Sequence, residues 1–196
     1  VVCYVNSTAQ VKAESDVCCT SANAVEVVKK INSKEVLFVP DVHLGGYVNT
    51  QIKDKNVISY NGFCPTHAKI TTNDIQNARK KYPNAEILAH PECHSDVLNL
   101  VDFIGSTSAI IDYVKKSNKK DFVIVTEKGV ADRLKRDYKN KNINVISEDV
   151  ICENMKAIKL EDIYNSLKNE EYEITVDKEI SSKAFDAIKK MIEINA

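Results

Sequence analysis

At 196 residues the chain is long enough for one large domain or two modest ones. Lysine and arginine (27) balance aspartate and glutamate (28), and a net charge of −1 argues against nucleic acid or an anionic membrane as partner. No apolar run approaches the roughly 20 residues of a membrane span, so no membrane association is expected.

The elements follow in order. Val1–Val5 reads as a strand, followed by a polar loop, a short strand around Cys18 and a Thr20-Ser21-Ala22-Asn23 turn. A helix carries Ala24, Val25, Val28 and Ile31 at helical spacing. Val36–Val39 is a further strand; a loop, a helix, the strand Asn56–Ser59, a cysteine loop and another helix complete the unit. The pattern then starts again. Tyr4 falls on His90 (90 − 4 = 86), and the same shift puts Asn6 on Glu92, Asp16 on Asp102, Ser21 on Thr107 and Asp41 on Glu127. After a two-residue slip, Asn56–Ser59 recurs as Asn144–Ser147 (144 − 56 = 88), and Cys64 lands on Cys152. An internal repeat of this length decides the architecture before any single motif does.

Val36–Val39, Phe122–Val125 and Ile143–Ile146 are β-branched and almost continuously apolar, as strands buried on both faces of a parallel sheet are. Strands alternating with helices imply right-handed crossovers and an α/β fold of repeated three-layer αβα sandwiches. The expected organisation is one unit over residues 1–85, a second over 86–170, and an extended piece plus a helix over 171–196. Ligands of open parallel sheets sit beyond the carboxyl ends of the strands. Tyr4, Asn6, Asp41, His90, Glu92 and Glu127 all follow strands, so the expected site is a cleft between the two units.

Six cysteines in a lysine- and glutamate-rich chain, two of them adjacent, suit a reducing cytoplasm better than a disulfide framework. Val1 opens directly into strand-like sequence, without an initiator methionine or a signal-type segment. The chain is therefore expected to be part of a longer gene product. Cys3, Cys18 and Cys19 lie on or beside apolar strands and are assigned to the core. Cys64 and Cys152 sit in equivalent loops, which suggests that each unit offers one thiolate to a common centre. Two thiolates do not complete an iron–sulfur cluster, so a further unit would have to supply another.

His90-Pro91-Glu92-Cys93-His94 places a histidine and a carboxylate two residues apart, around a fixed proline backbone, where they can orient a substrate and move protons. The bland reading is an exposed polar loop. Zinc held by Cys64, His67, Cys93 and His94 is a further possibility with unfavourable spacing. The turns at Thr20–Asn23 and Gly105–Thr107 precede helices, where they either cap the first turn or receive an anion. Lysine and arginine are absent from these strand ends, and His43 is expected to be a solvated loop residue.

The strings YVNSTAQVKAESDVCCTSANAVEVVKK, PDVHLGGYV, GFCPTH, HPECHSDV, DFIGST and CENMK with KLEDIYNSL resemble the quinolinate synthase family over almost the whole chain. The resemblance implies three pseudo-symmetric αβα domains around a [4Fe–4S] cluster held by three cysteines, with this chain matching the second and third domains and the C-terminal tail. It implies that iminoaspartate is condensed with dihydroxyacetone phosphate to quinolinate, phosphate and water in NAD biosynthesis, with a functional link to an iminoaspartate-producing enzyme. Residue by residue, Cys64 and Cys152 match cluster ligands. Tyr4, Val5 and Asn6 match an iminoaspartate-binding segment, and Ser21, His67, His90, Pro91, Glu92, Ser106 and Thr107 match further substrate contacts. Glu92 and Tyr4 are the candidates for proton transfer, with His90 positioning oxygen atoms. The third cluster cysteine is expected in the first domain, which this chain lacks, and Cys3 does not replace it because it lies inside the YVNS strand, so this chain alone is expected to catalyse little. Two other readings compete: a non-catalytic αβα module binding a small phosphorylated or carboxylate ligand, and a zinc hydrolase using Cys64, His67 and Cys93.

Overall fold

The computed structural model describes residues 1–195. Among these residues the strands form two four-stranded sheets in which every pairing is parallel. The first comprises β1 (Val2–Tyr4), β2 (Val17–Cys19), β3 (Glu35–Val39) and β4 (Asn56–Ser59) in the order β2-β1-β3-β4. In the second, β5 (Glu86–Ala89), β6 (Phe103–Ile104), β7 (Asp121–Val125) and β8 (Asn142–Val145) take the order β6-β5-β7-β8. The strand order is the same in both, so the sequence repeat is also a repeat in space.

The loop after each first strand contains a short helix, α1 (Ala9–Ala13) in the first unit and α5 (Ser95–Leu98) in the second. Helices α2 (Ala24–Lys30) and α3 (Val42–Gln51) bury Val27, Val28, Leu44 and Val48 against Val2, Val36 and Phe38. Their counterparts α6 (Thr107–Lys116) and α7 (Lys128–Asp137) bury Ile110, Val114 and Leu134 against Leu88, Phe122 and Ile124. Phe38 and Phe122 are fully buried, and each contributes roughly 2–3 kcal/mol of apolar transfer.

The opposite faces of the two sheets are covered unequally. On the second sheet, Ile75 and Ala78 of α4 (Thr72–Lys81) pack with Ile87, Ala89, Val123, Val125 and Val97 of α5. Thus α4, which precedes β5 in the chain, closes the sheet that follows it. On the first sheet, α10 (Lys178–Asn195) takes the corresponding place, packing Ala187, Ile188 and Met191 on Cys3, Cys18 and Val39. That cover reaches β3 only at its last residue, Val39, and Leu37 of β3 and Ile58 of β4 stay exposed. The expectation that every long apolar strand is buried on both faces therefore holds for β7 but not for β3, whose residues alternate between buried and exposed. The small helix α8 (Glu153–Lys156) leads into α9 (Leu160–Asn169), which exposes Leu160, Ile163, Tyr164 and Leu167. Ile163 is the repeat counterpart of Ile75 (163 − 75 = 88), so α9 leaves in solvent the face that α4 buries. No described helix is long and apolar enough to cross a membrane.

Asp102 fastens α4 to the second sheet. Its carboxylate accepts two bonds from Arg79, at 2.8 and 2.9 Å, and one from the Ile87 N–H at 2.7 Å. Burial alone would raise its pKa, but the Arg79 guanidinium and the Ile87 N–H outweigh burial and hold the carboxyl below the usual aspartate value. A carboxyl with a depressed folded-state pKa stabilises the fold at pH values above its unfolded value, about 3.9, and loses that contribution as the pH falls through the folded value. Asp102→Asn is expected to cost about 1 kcal/mol at neutral pH, with the gap to the unsubstituted chain closing below about pH 4. Urea unfolding across that range checks both the loss and its disappearance.

Candidate functional site

Both sheets aim the carboxyl ends of β1 and β5 at a common region, and there the polar residues meet. Tyr4 ends β1 beside the Ser21 side chain, which lies in the turn after β2. Ser21 Oγ lies 3.2 Å from His90 Nε2, at the end of β5 in the second unit. His90 Nδ1 is 3.2 Å from Glu92 Oε2. The same oxygen is 3.4 Å from Nδ1 of His67, back in the first unit, and that nitrogen is 3.2 Å from Cys64 Sγ. A continuous line of polar contacts therefore runs from Tyr4 to Cys64 and crosses between the units twice. The His67 and His90 rings stack 4.9 Å apart, and Thr126 Oγ1 lies 2.8 Å from His67 Nε2 on the far side.

Local sequence explains the placement of these groups. Pro91 and Glu92 are buried in the turn beyond β5, which is closed by the Cys93 N–H donating to the His90 carbonyl. Asp41 caps α3 through the Leu44 N–H at 2.7 Å, and its other oxygen accepts the Cys64 N–H at 2.9 Å. One buried carboxylate thus fixes both a helix start and the cysteine loop. Its counterpart Glu127 accepts the Gly129 N–H at 2.8 Å and faces Lys156 Nζ at 3.4 Å, four residues beyond Cys152.

Electrostatics separate the roles of the groups. Burial first, then the neighbouring Glu92 charge, raises the Tyr4 pKa far above its ordinary value, so the phenol keeps its proton. Burial, reinforced by the adjacent His90, depresses His67 to about 4, and its imidazole is neutral at neutral pH. Burial opposes ionisation of Glu92, but the hydrogen bond and charge of His90 outweigh burial and hold the carboxyl below the ordinary range. Burial raises the Cys64 thiol, against backbone N–H groups of Thr66 and His67 that favour the thiolate.

A cleft of about 500 Å³ opens beside this line, with Thr20, Ser21, Ser106, Thr107, Asp112 and Arg133 among its lining residues. Ser106 caps α6 through the Ala109 N–H, as its position before a helix predicts. Ser21 does not cap α2. Asn23 holds the N-cap position and its Oδ1 accepts the Thr20 N–H and hydroxyl, while the Ser21 hydroxyl meets His90. Val5 donates its N–H to the Cys19 carbonyl, and Asn6 is exposed. Arg133 reaches the cleft from α7, a helix rather than a strand end, and no local signal in the sequence marks it. Thr126 is likewise visible only once β7 has packed beside the Cys64 loop.

Cys3, Cys18, Cys19 and Cys93 are fully buried, whereas Cys64 and Cys152 are partly exposed. Cys93 turns its Sγ toward the Val125 carbonyl, away from the Cys64–His67 pair, so the zinc set that includes it does not form. His94, the fourth member of that set, packs its ring 4.1 Å from that of His43. His43 itself is half-buried in the first turn of α3, not in a solvated loop, because the Asp41 cap starts the helix there.

These features define an α/β protein of two repeated parallel-sheet units, with a Tyr–Ser–His–Glu–His–Cys line, buried at its centre, at their shared strand ends. The sequence profile of the quinolinate synthetase A protein family matches residues 1–193, and the chain belongs to that family. It is 50% identical to the quinolinate synthase of Clostridium kluyveri over 194 residues, covering 99% of this chain and 64% of that relative. Identity is 46% to the quinolinate synthase of Alkaliphilus metalliredigens and 44% to quinolinate synthase 2 of Methanosarcina acetivorans, with 64% and 63% of those relatives covered. The chain thus spans slightly under two thirds of the length of these relatives.

Asp41→Ala removes the acceptor for the Cys64 N–H and is expected to destabilise the chain by about 1–3 kcal/mol. Alkylation followed by peptide mapping should show Cys64 reacting faster in this variant and Cys152 reacting at its original rate.

Proposed function

We propose that the protein to which this chain belongs is a quinolinate synthase, joining iminoaspartate to dihydroxyacetone phosphate with release of phosphate and water. One observation carries the reading beyond the family match: the line of polar side chains from Tyr4 through Ser21, His90, Glu92 and His67 to Cys64, which assembles residues of both repeats at one set of strand ends.

The donor set suits an iron–sulfur cluster in part. Of the six thiols, only Cys64 and Cys152 lie outside the buried core, and they occupy equivalent loops beyond β4 and β8. They would hold a [4Fe–4S] cluster together with a third cysteine from sequence that the longer relatives carry in addition. The apolar stripe on α9 supports a further unit there, since its counterpart α4 is covered by a sheet. When bound by only three thiolates, such a cluster supplies a Lewis-acidic iron for substrate oxygens.

The chain's own residues do the remaining work. Tyr4 keeps its proton and donates it to a substrate oxygen. Ionised Glu92 accepts a proton, and His90, held between Ser21 and Glu92, orients carbonyl or hydroxyl groups. Pro91 shapes the turn that presents both. Ser21, Ser106, Thr107, Asn6 and the Val5 backbone receive carboxylate and phosphate oxygens, and Arg133 adds the positive charge that the strand ends lack. Burial of the line excludes water from a carboxylate and imidazoles that must exchange protons with substrate alone.

Anaerobic reconstitution with iron and sulfide tests the reading on the protein extended to the length of its relatives. Cys64→Ser and Cys152→Ser are each expected to abolish the brown cluster absorbance, and retained iron in either variant would remove that residue from the ligand set. Glu92→Gln should keep the cluster and reduce quinolinate formation by roughly 10²–10⁴-fold. Near-normal turnover would exclude Glu92 from proton transfer.

A further inference from the structure

Cys64, His67 and Glu92 meet in a way that a bridging cluster does not require. Their three ligand atoms all lie within 4.8 Å of one another. His67 Nδ1 is 3.2 Å from Cys64 Sγ and 3.4 Å from Glu92 Oε2. A tetrahedral zinc ion with bonds of about 2.0–2.3 Å sets its nitrogen, oxygen and sulfur ligands about 3.3–3.6 Å apart. The two edges at His67 need adjust by only a few tenths of an ångström, and the third, between Cys64 Sγ and the Glu92 carboxylate, closes on the metal from at most 4.8 Å.

The surroundings are those of a metal site rather than of a chance cluster. Metal-bound histidines present one ring nitrogen to the ion and engage the other in a hydrogen bond that fixes tautomer and ring orientation. His67 does this: Nδ1 faces the cysteine and the carboxylate, and Nε2 is paired with Thr126 Oγ1 at 2.8 Å. The carboxylate has its own support, with His90 Nδ1 3.2 Å from the same Glu92 oxygen. Asp41 holds the Cys64 backbone at 2.9 Å, so the thiol stands on a fixed loop. His67 and Glu92 are almost fully buried and Cys64 is partly exposed, so the cysteine is the side of the cluster nearest solvent.

We propose that Cys64 Sγ, His67 Nδ1 and Glu92 Oε2 form a site for a single divalent transition-metal ion of the zinc or ferrous class, with one coordination position open. Binding replaces the Cys64 thiol proton with the metal, and that proton passes to solvent. The site does not depend on the cluster and does not use Cys152. Because it uses Cys64, a bound ion and a cluster exclude one another. Zinc-loaded protein therefore takes up less iron and sulfide than the metal-free form.

Cobalt(II) titration of the metal-free chain under anaerobic conditions tests the site. The expected result is one cobalt per chain, with a thiolate-to-cobalt charge-transfer band in the near ultraviolet, tetrahedral d–d bands in the visible, and full displacement by zinc. Cys64→Ser should lose the charge-transfer band, while Cys152→Ser should keep it. Thr126→Val, nearly the same shape but without the hydroxyl that orients His67, should weaken binding by roughly 10–100-fold. Far-ultraviolet circular dichroism of each variant separates loss of a ligand from loss of the fold. An octahedral spectrum without the thiolate band would overturn the proposal. So would unchanged affinity in both His67→Ala and Glu92→Gln, or loss of the band in Cys152→Ser, which would place the ion between the two cysteines. Intact cobalt binding alongside failed cluster assembly in the protein extended to the length of its relatives would refute the synthase reading and leave this one standing.

Discussion

A carboxylate that is nine-tenths buried must find partners, and Glu92 finds them on both sides. Desolvating an ion costs several kcal/mol, which only close, well-oriented partners recover. The partners are the imidazoles of His90, two residues away, and His67, 25 residues earlier in the chain (92 − 67 = 25). The first comes free with the turn after β5. The second exists only if the Cys64 loop of the first unit lies against the second. The chemistry of the site and the packing of the two units therefore rest on one interaction. Loss of either imidazole would leave the charge short of a partner and loosen the contact between the units.

The two units share a fold and a strand order yet divide the chemical work. At the end of the first strand one unit carries Tyr4 and Asn6, and the other His90 and Glu92. A phenol held protonated by burial thus faces, through Ser21 and His90, a carboxylate held ionised. Two titratable groups pushed apart by their environments are the usual basis for assigning acid and base. Asp41 and Glu127 show the same division. Asp41 spends both oxygens on backbone N–H groups, one of them that of Cys64. The longer Glu127 caps α7 with one oxygen and turns the other to Lys156, just beyond the second cysteine loop.

Much of the scaffold was legible in the linear chain. Two parallel sheets followed from the repeat and from strands alternating with helices, since hydrophobic periodicity reports local conformation directly. The core positions of Cys3, Cys18 and Cys19 followed from their place on apolar strands, and the Ser106 cap from its place before a helix. Local strings also ranked His90, Glu92, Cys64 and Cys152 above the remaining polar residues. Where local reading misled, either a side chain two residues away or a distant element had intervened. His43 lost its loop to the Asp41 cap, Asn23 and not Ser21 took the N-cap position of α2, and part of one face of β3 stayed uncovered because α10 meets that strand only at Val39.

What the sequence by itself determined, then, was the repeat, the elements, and the chemical types gathered at the strand ends, because these depend on residues near one another in the chain. Tertiary structure alone decided which of those types touch. It set His67 between Cys64, Glu92 and Thr126, brought Arg133 round to the cleft, and turned Cys93 inward to a carbonyl. Contacts of that kind depend on how two sheets bring their strand ends together, and no periodicity in a chain records the distance between side chains it has not yet brought together.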